Sequence, residues 1–562
     1  MRTKSMLAGA ATLALGLAVG QSKASACGGF FCSSSPIDQA GETIVYGLEA
    51  DGTLTMAVQI RYAGNDDDFA WILPVPAVPE ISPGTDQLFD RLRAATEPTF
   101  LRRSRTEGTC AEPPRCVSPV DCSPRGGDGC GYDGDWDDPE PLTPRDFVDA
   151  SAVTVFDASA SDAGAPVDAG GVTVFSRRDV GPYDTTVLGA VSAREMLDWL
   201  QANGYDIPDA SEPLLESYAA GGQVFVALRL SSDAETRMIQ PIVMRMATDE
   251  ACLPIRLTAI ATVPDMPITA FFLGDARAAP VNYSLVESPA DNPGLWYGTT
   301  TWTEQVTRRV DRLDGRVFVT EYAGRTPAIS LRMQEVADLA TLDDPGRYIM
   351  ELAARGYAGD ANLLRLFRAF VVPPEGEDER TYYNCLSRGE DGCGEPASFD
   401  PVGLTEAIEA QIRAPSDAAH DLVHRHGYLT RLFTTMSAEE MTVDPVFQLD
   451  DGLEDVGNVH VLTRVERCSS QYYRGDAPQE DVLPDGTTSS ASEGRRAPSD
   501  QDYCDEVGGI PDYEATDCSD PPASSGCGLC TVAGLAPIQG GVLGGLLFFW
   551  LARRTRKLSR RS

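Results

Sequence analysis

The chain has 562 residues, a formal net charge of −38 and 42% hydrophobic residues, enough for two or three domains with real cores. Three positive charges in residues 1–26 and six in 527–562 leave −47 on residues 27–526, a field that repels nucleic acid and anionic head groups and attracts cations or basic partners. Lysine stands only at Lys4, Lys23 and Lys557, so residues 27–526 exclude a lysine nucleophile, a Schiff base, a phosphate-loop lysine and a Ser–Lys dyad.

Arg2, Lys4, the apolar run Met6–Val19 and Ala24-Ser25-Ala26 read as a secretory signal peptide, residues 1–26, cleaved between Ala26 and Cys27. A lipoprotein signal would place Cys27 at the same point, so both readings stand. From Ile44 the pattern is that of sheet. Leu54, Met56, Val58, Ile60 and Tyr62 alternate with Thr55, Ala57, Gln59 and Arg61, the period of a half-buried strand. Asn65–Asp68 turns into a strand at 69–75, which Pro74, Pro76 and Pro79 mark as an edge or exit. Leu88, Phe89 and Leu92 share one face of a short helix.

From about Ser104 to Gly171 the pattern breaks into cysteines, Gly, Pro and Asp, with a low-complexity run at 157–164. Val153–Phe156 recurs as Val172–Phe175. This stretch, 104–171, reads as a Cys/Asp/Gly-rich surface insertion in a β-rich domain spanning 27–290. Ser192-Ala193-Arg194-Glu195 is a capping box opening a helix whose buried face is Met196, Leu197 and Leu200. Strands are expected at 224–230, 239–246, 253–263 and 268–273; in the third, Ile255, Leu257, Ala259, Ala261 and Val263 alternate.

A second α/β region of the same unit spans 291–467. It holds a strand at 317–322, a helix opened by Asp344-Pro345, helices at 403–413 and 416–426, and strands at 428–433 and 459–465. Residues 468–526 are rich in Ser, Pro, Asp and Gly, which suits a solvated, acidic stalk. The tail, 527–562, reads Cys527-Gly528-Leu529-Cys530, an apolar run at 531–552, then an Arg-rich end. A run of ~20 apolar residues spans a bilayer as a helix, and the basic end stays cytoplasmic. The fold class expected is α+β and β-rich: a sandwich-like ectodomain with a few packed helices and one C-terminal transmembrane helix.

Twelve of the fourteen cysteines lie between Cys27 and Cys518, an even number that suits disulfides in an oxidising compartment. Local spacing suggests Cys27–Cys32, two bridges among Cys110, Cys116, Cys122 and Cys130, then Cys385–Cys393 and Cys504–Cys518, leaving Cys252 for Cys468. That pairing follows proximity in the chain alone.

Candidate chemistry is sparse. His420-Asp421-Leu422-Val423-His424 sets two imidazoles four apart on one helix face, the spacing of zinc hydrolases. Aspartate stands where those enzymes carry glutamate, and His426 falls on another face. Asn65–Asp68 and Asp128 with Asp133, Asp135, Asp137 and Asp138 offer hard oxygen ligands for calcium, without an EF-hand pattern. Zinc at the histidines and calcium at the acidic turns are the cations these residues could hold, against plain readings of a solvated helix end and acidic turns; no other cofactor and no catalytic constellation is expected.

Several stretches together resemble the bacterial family called domain of unknown function 2330. They are Ala26-Cys27-Gly28-Gly29-Phe30-Phe31-Cys32, Phe69-Ala70-Trp71-Ile72-Leu73-Pro74-Val75-Pro76, Asp198–Tyr205, Leu253–Ala259 and Tyr428–Phe433. The resemblance implies an exported bacterial protein and brings no activity with it. The tail is similar to myxobacterial (MYXO-CTERM-like) sorting tails, which implies processing near Cys527 or Cys530 and retention at the cell surface; an ordinary membrane anchor is the alternative. The expected function is that of an exported, membrane-anchored or surface-sorted binding or structural ectodomain, non-catalytic, meeting a cell-envelope or extracellular partner. The alternative is a metal-dependent hydrolase of the cell envelope using His420 and His424.

Overall fold

The computed structural model describes residues 38–511, except 64–69, 118–166, 231–239 and positions 170, 206, 208–210, 261, 288–289, 361, 390–391 and 509. The chain is α+β and strand-rich. It divides into two units, residues 1–111 with 143–497, and residues 112–142 with 498–562.

The larger unit begins with β1 (Asp38–Leu48), β2 (Thr53–Ala63), β3 (Ala70–Val75), β4 (Glu80–Pro83), α1 (Asp86–Thr96) and β5 (Thr99–Glu107). It continues through β6 (Val167–Ala169), β7 (Val172–Val180), β8 (Tyr183–Ala190), α2 (Ala193–Ala202), α3 (Glu212–Ala220), β9 (Val224–Leu230), β10 (Ile242–Ala247) and β11 (Met266–Gly274). Next come β12 (Ser284–Glu287), α4 (Trp302–Asp311), β13 (Val317–Arg325), α5 (Pro345–Ala354), α6 (Leu363–Phe370), α7 (Glu379–Ser387) and α8 (Pro401–Ile408). The last elements are α9 (Ala414–Arg425), β14 (Tyr428–Met436), β15 (Val459–Arg467), β16 (Gln479–Val482) and β17 (Thr488–Ser492).

Eight strands form one mixed sheet in the order β12-β13-β14-β11-β1-β2-β10-β4, and five form a second, β3-β9-β8-β7-β6. Alternation along β1 explains the stacking. Ile44 and Tyr46 face Trp71, Leu73, Val226 and Leu228 of the second sheet. Val45 faces Leu88, Phe89 and Leu92 of α1 and Leu422 and Val423 of α9. The second sheet turns Ile72, Leu188 and Phe225 towards Met196, Leu197 and Leu200 of α2 and Leu215 of α3. The unit is therefore layered helix–sheet–sheet–helix, and the inner strands are buried on both faces. Each fully buried large apolar side chain contributes about 1.5–3 kcal/mol, which is why Leu54 to Val58 carries no exposed residue. Helices α5 to α8 gather separately around Tyr348, Leu352, Phe367, Tyr382 and Leu404.

Most expected elements are present. The strand at 69–75 is β3, an edge of its sheet as its prolines require. Ser192 caps α2 by accepting the Glu195 N–H, and Asp344 caps α5 by accepting the Arg347 N–H at 2.6 Å. Three expectations need correction. Residues 253–263 are not a strand: Ile255–Thr258 makes one helical turn, whose Arg256 N–H is taken by the Asp444 carboxylate at 3.0 Å. Leu253 and Ile255 enter the core between the sheets while Leu257 enters the core under α2 and α3, so a turn serves both where a strand would not. Residues 104–107, assigned to the insertion, complete β5, which pairs in parallel with β15. Residues 468–497, assigned to the stalk, are folded, since β16 and β17 extend that same sheet and Tyr473, Ala477 and Leu483 are buried.

The disulfides also depart from local spacing. Cys385–Cys393 forms as expected, but Cys110 bonds Cys468, 358 residues away, and Cys116 bonds Cys504. Parallel pairing of β5 and β15 brings Glu107 opposite Arg467, so Cys110 and Cys468 emerge at the same end of the pair. In the smaller unit, Cys116–Val117 pairs with Ile510–Pro511 beside the helix Asp500–Val507 that carries Cys504. Cys252 is left free, and the expected Cys252–Cys468 and Cys504–Cys518 bridges are excluded. Cys27, Cys32, Cys122, Cys130, Cys518, Cys527, Cys530 and Ala26 lie outside the described residues. No helix among the described residues is long and apolar enough to cross a membrane, and the span expected at 531–552 lies outside them.

One ion pair is buried in the eight-stranded sheet. Arg431 of β14 reaches Glu321 of β13 at 2.5 Å, with side chains 6% and 1% exposed. Trp302 Nε1–H donates to the same carboxylate, and the Arg431 guanidinium lies 5.5 Å from the centre of the Phe271 ring. Burial raises the Glu321 carboxyl above its usual range, against the pull of Arg431. Removing one charge strands the other in a dry site. Arg431→Ala is expected to cost about 3–5 kcal/mol, and a Glu321→Gln/Arg431→Met pair to recover most of it; urea unfolding midpoints check both.

Candidate functional site

A cleft of about 810 Å³ opens on the helix side of the eight-stranded sheet. Its floor is Thr55 and Ala57 of β2, Val243 and Arg245 of β10, and Glu80 and Ser82 of β4. Leu88 and Phe89 of α1 form one wall; Ala419, Asp421, Leu422 and Arg425 of α9 form the other. The register sets Arg245 between Thr55 on one side and Glu80 on the other.

The wall is fixed by an unusual helix start. Pro415 has no N–H to give the Gln411 carbonyl, and the chain makes a π-turn at Glu409–Arg413 before α9. Gln240, 3% exposed, supplies the missing donor: its Nε2 gives hydrogen bonds to Gln411 O at 3.1 Å and to Gly84 O at 2.7 Å. One side-chain amide thus ties α9 to the turn that leads into α1, whose N-cap is Thr85.

Four carboxylates (Glu49, Asp51, Glu80, Asp421) and two guanidiniums (Arg245, Arg425) line the cleft, a surplus of two negative charges. Arg425 donates to Glu49 Oε1 at 3.1 Å. Buried His426 holds its Nε2 3.7 Å from Glu49 Oε2 and uses Nδ1 for the Leu422 carbonyl at 2.9 Å. Asp51 titrates below the usual carboxylate range because the Thr53 hydroxyl and N–H hold its charged form, with help from Arg245. The apolar side chains Ala57, Val243, Leu88, Phe89 and Leu422, together with the carboxylates, can hold a cation on an aliphatic stem. None of these residues is adjacent in sequence except by pairs, so no motif announces them. Asp421 stands out in the sequence only as part of the His-Asp-Leu-Val-His stretch and His426 only as its neighbour, while Glu49, Asp51, Glu80, Arg245 and Arg425 carry no signal.

The His420/His424 pair sits beside this wall. Its rings stack with centroids 3.9 Å apart. His420 Nδ1 accepts the Leu331 N–H at 3.4 Å, and His424 Nδ1 faces the His420 carbonyl at 2.9 Å. Asp421 pairs instead with Arg332 at 3.1 Å. Among the described residues the one group of three metal-type side chains is Cys110, Glu466 and Cys468, whose two sulfurs are a disulfide. The fourth histidine, His460, lies far along the chain on β15, stacked on Phe100 at 5.3 Å and on Trp302 at 6.0 Å. The calcium candidates at 65–68 and 128–138 lie outside the described residues.

Cys252 is not a nucleophile of the usual kind. Burial, then the nearby Asp444 carboxylate, push its thiol up to about 12, so it stays protonated at neutral pH. Burial also raises Asp444, although the Arg256 N–H and the Tyr218 hydroxyl oppose it.

Burial lowers His460 below its ordinary value of 6.5, and burial, His424 and Arg332 lower His420. Below 6.5 the unfolded chain takes up protons that the folded chain does not, so this stability is full above the unfolded value and is lost as pH falls towards the folded value. The urea midpoint of His460→Phe is expected to decline less between about pH 7 and pH 5 than that of the parent. A parallel decline in both proteins would show that His460 does not titrate in this way.

A family model described as "Uncharacterized protein conserved in bacteria (DUF2330)" matches residues 21–371. No curated protein and no solved structure matches the chain. The match ends at β-strand residue Val371, while β14, which lies between β11 and β13, falls beyond it. With more than half of its length matched, the chain belongs to the DUF2330 family of uncharacterized bacterial proteins.

Proposed function

We propose that this chain is an exported, membrane-anchored or surface-sorted binding protein whose cleft between α1 and α9 takes a cationic group from a cell-envelope or extracellular partner. The observation that carries the binding reading is the charge balance of that cleft's lining: four carboxylates against two arginines. The long-range disulfides support an oxidising compartment. The signal-like leader and the Cys527/Cys530 tail support the same address.

A lysine-rich peptide titrated calorimetrically into the full-length protein is expected to bind, and a glutamate-rich one not to. Glu80→Gln/Asp421→Asn should weaken the binding roughly tenfold, as should raising salt from about 0.05 to 0.5 M. No heat from the lysine-rich peptide would overturn the cleft reading. The stacked His420 and His424 give the hydrolase alternative its test. Stoichiometric zinc, lost in His424→Ala, would replace a non-catalytic role with a metal-dependent one.

A further inference from the structure

Strand β5 is an anomaly in charge and in exposure. It ends the four-stranded sheet β17-β16-β15-β5, and every side chain from Leu101 to Thr106 is exposed. Its sequence, Thr-Phe-Leu-Arg-Arg-Ser-Arg-Thr-Glu, sets Arg102, Arg103 and Arg105 within four positions of a chain whose net charge is −38.

Two hydrogen bonds fix which way its backbone points. Thr99 N–H donates to Asn458 O at 2.7 Å, and Cys468 N–H donates to Glu107 O at 2.8 Å. In a parallel ladder a residue that bonds its neighbour with one backbone group does so with the other, and successive residues alternate. The odd-numbered residues of β5 therefore face β15, and Phe100, Arg102, Ser104 and Thr106 turn their N–H and C=O groups to the open edge. No strand among the described residues takes that edge.

The side chains flank the same edge on both faces. Arg102 lies on one face, 5.5 Å from the centre of the Tyr297 ring, which Arg464 approaches at 5.3 Å. Arg103 and Arg105 lie on the other, with Arg467 beyond Glu107. Charged side chains on an edge ordinarily guard it against pairing. Arg105 meets Glu107 of the same strand at 2.5 Å, which leaves Arg102 and Arg103 in excess, and a guard of net positive sign is selective. It repels a second copy of β5 and any basic strand, and it neutralises carboxylates on either face of an acidic one.

We propose that β5 is a docking edge, to which an extended acidic peptide segment of a partner protein adds as a further strand. The outward backbone groups supply the ladder and the three arginines supply the choice of sign. This goes beyond the cleft reading: it names a second partner class, at a surface separate from the cleft.

The test uses the full-length protein and a fluorescein-labelled eight-residue peptide alternating Glu and Val, read by anisotropy. Saturable binding is expected, with no binding of the Lys–Val counterpart. Arg103→Glu/Arg105→Glu should weaken it roughly tenfold or more. Ser104→Pro removes one outward donor without touching the β15 ladder and is tolerated on an edge, so it should weaken binding while the melting curve stays that of the parent. A peptide N-methylated at alternate residues should fail on the unaltered protein, whatever Ser104→Pro does to folding. Absence of binding, or binding that survives N-methylation, would overturn strand addition. Glu80→Gln/Asp421→Asn should leave this binding unchanged, so failure here and failure of the cleft are told apart.

Discussion

The eight-stranded sheet exists only when residues 428–436 slot between β11 and β13. Both neighbours would otherwise present rows of unpaired N–H and C=O groups inside the unit, a cost no other element relieves. Everything else follows from that closure. It brings α9 back over the sheet, where it helps to cover β1, and sets Arg431 against Glu321. The chain must travel out through α5 to α8 and return before its first half is finished. The family match stops at residue 371, yet the sheet needs the strand that lies past it.

Elements with a strong local period were legible in the sequence. The strand at 224–230, the helix capped by Ser192 and the edge character of β3 all follow from residues within one turn or one strand of each other. The failures share a different cause. The alternation at Ile255–Val263 is compatible with a strand until Asp444, nearly two hundred residues on, offers its carboxylate to the Arg256 N–H. Cys110 meets Cys468 because two parallel strands end together, a fact of register that spacing cannot contain. Residues 468–497 are too polar to make a core alone, but they need only extend an existing sheet and bury Leu483. The cleft was illegible for the same reason: Glu49, Glu80, Arg245 and Arg425 come from separate elements, and only the layering assembles them.

Arginine does the work that lysine shares in other chains. Arg431 is buried against a carboxylate and an aromatic ring, and buried Arg277 donates to Glu454 O at 2.6 Å and to Thr320 Oγ1 at 2.9 Å. A planar, permanently charged group with several fixed donors suits such sites better than an ammonium. The lysine-free composition of residues 27–526 is thus compatible with a folded interior that still holds positive charge.

Gln240 has a mechanical meaning beyond its two hydrogen bonds. By filling the place of the proton that Pro415 lacks, and by gripping Gly84 with the same amide, it ties the two walls of the cleft to each other. Walls joined in this way before a ligand arrives favour one that already fits and leave less order to be spent on holding it. In the binding role proposed above, that suits a site which samples its surroundings and not a trap that keeps what it catches.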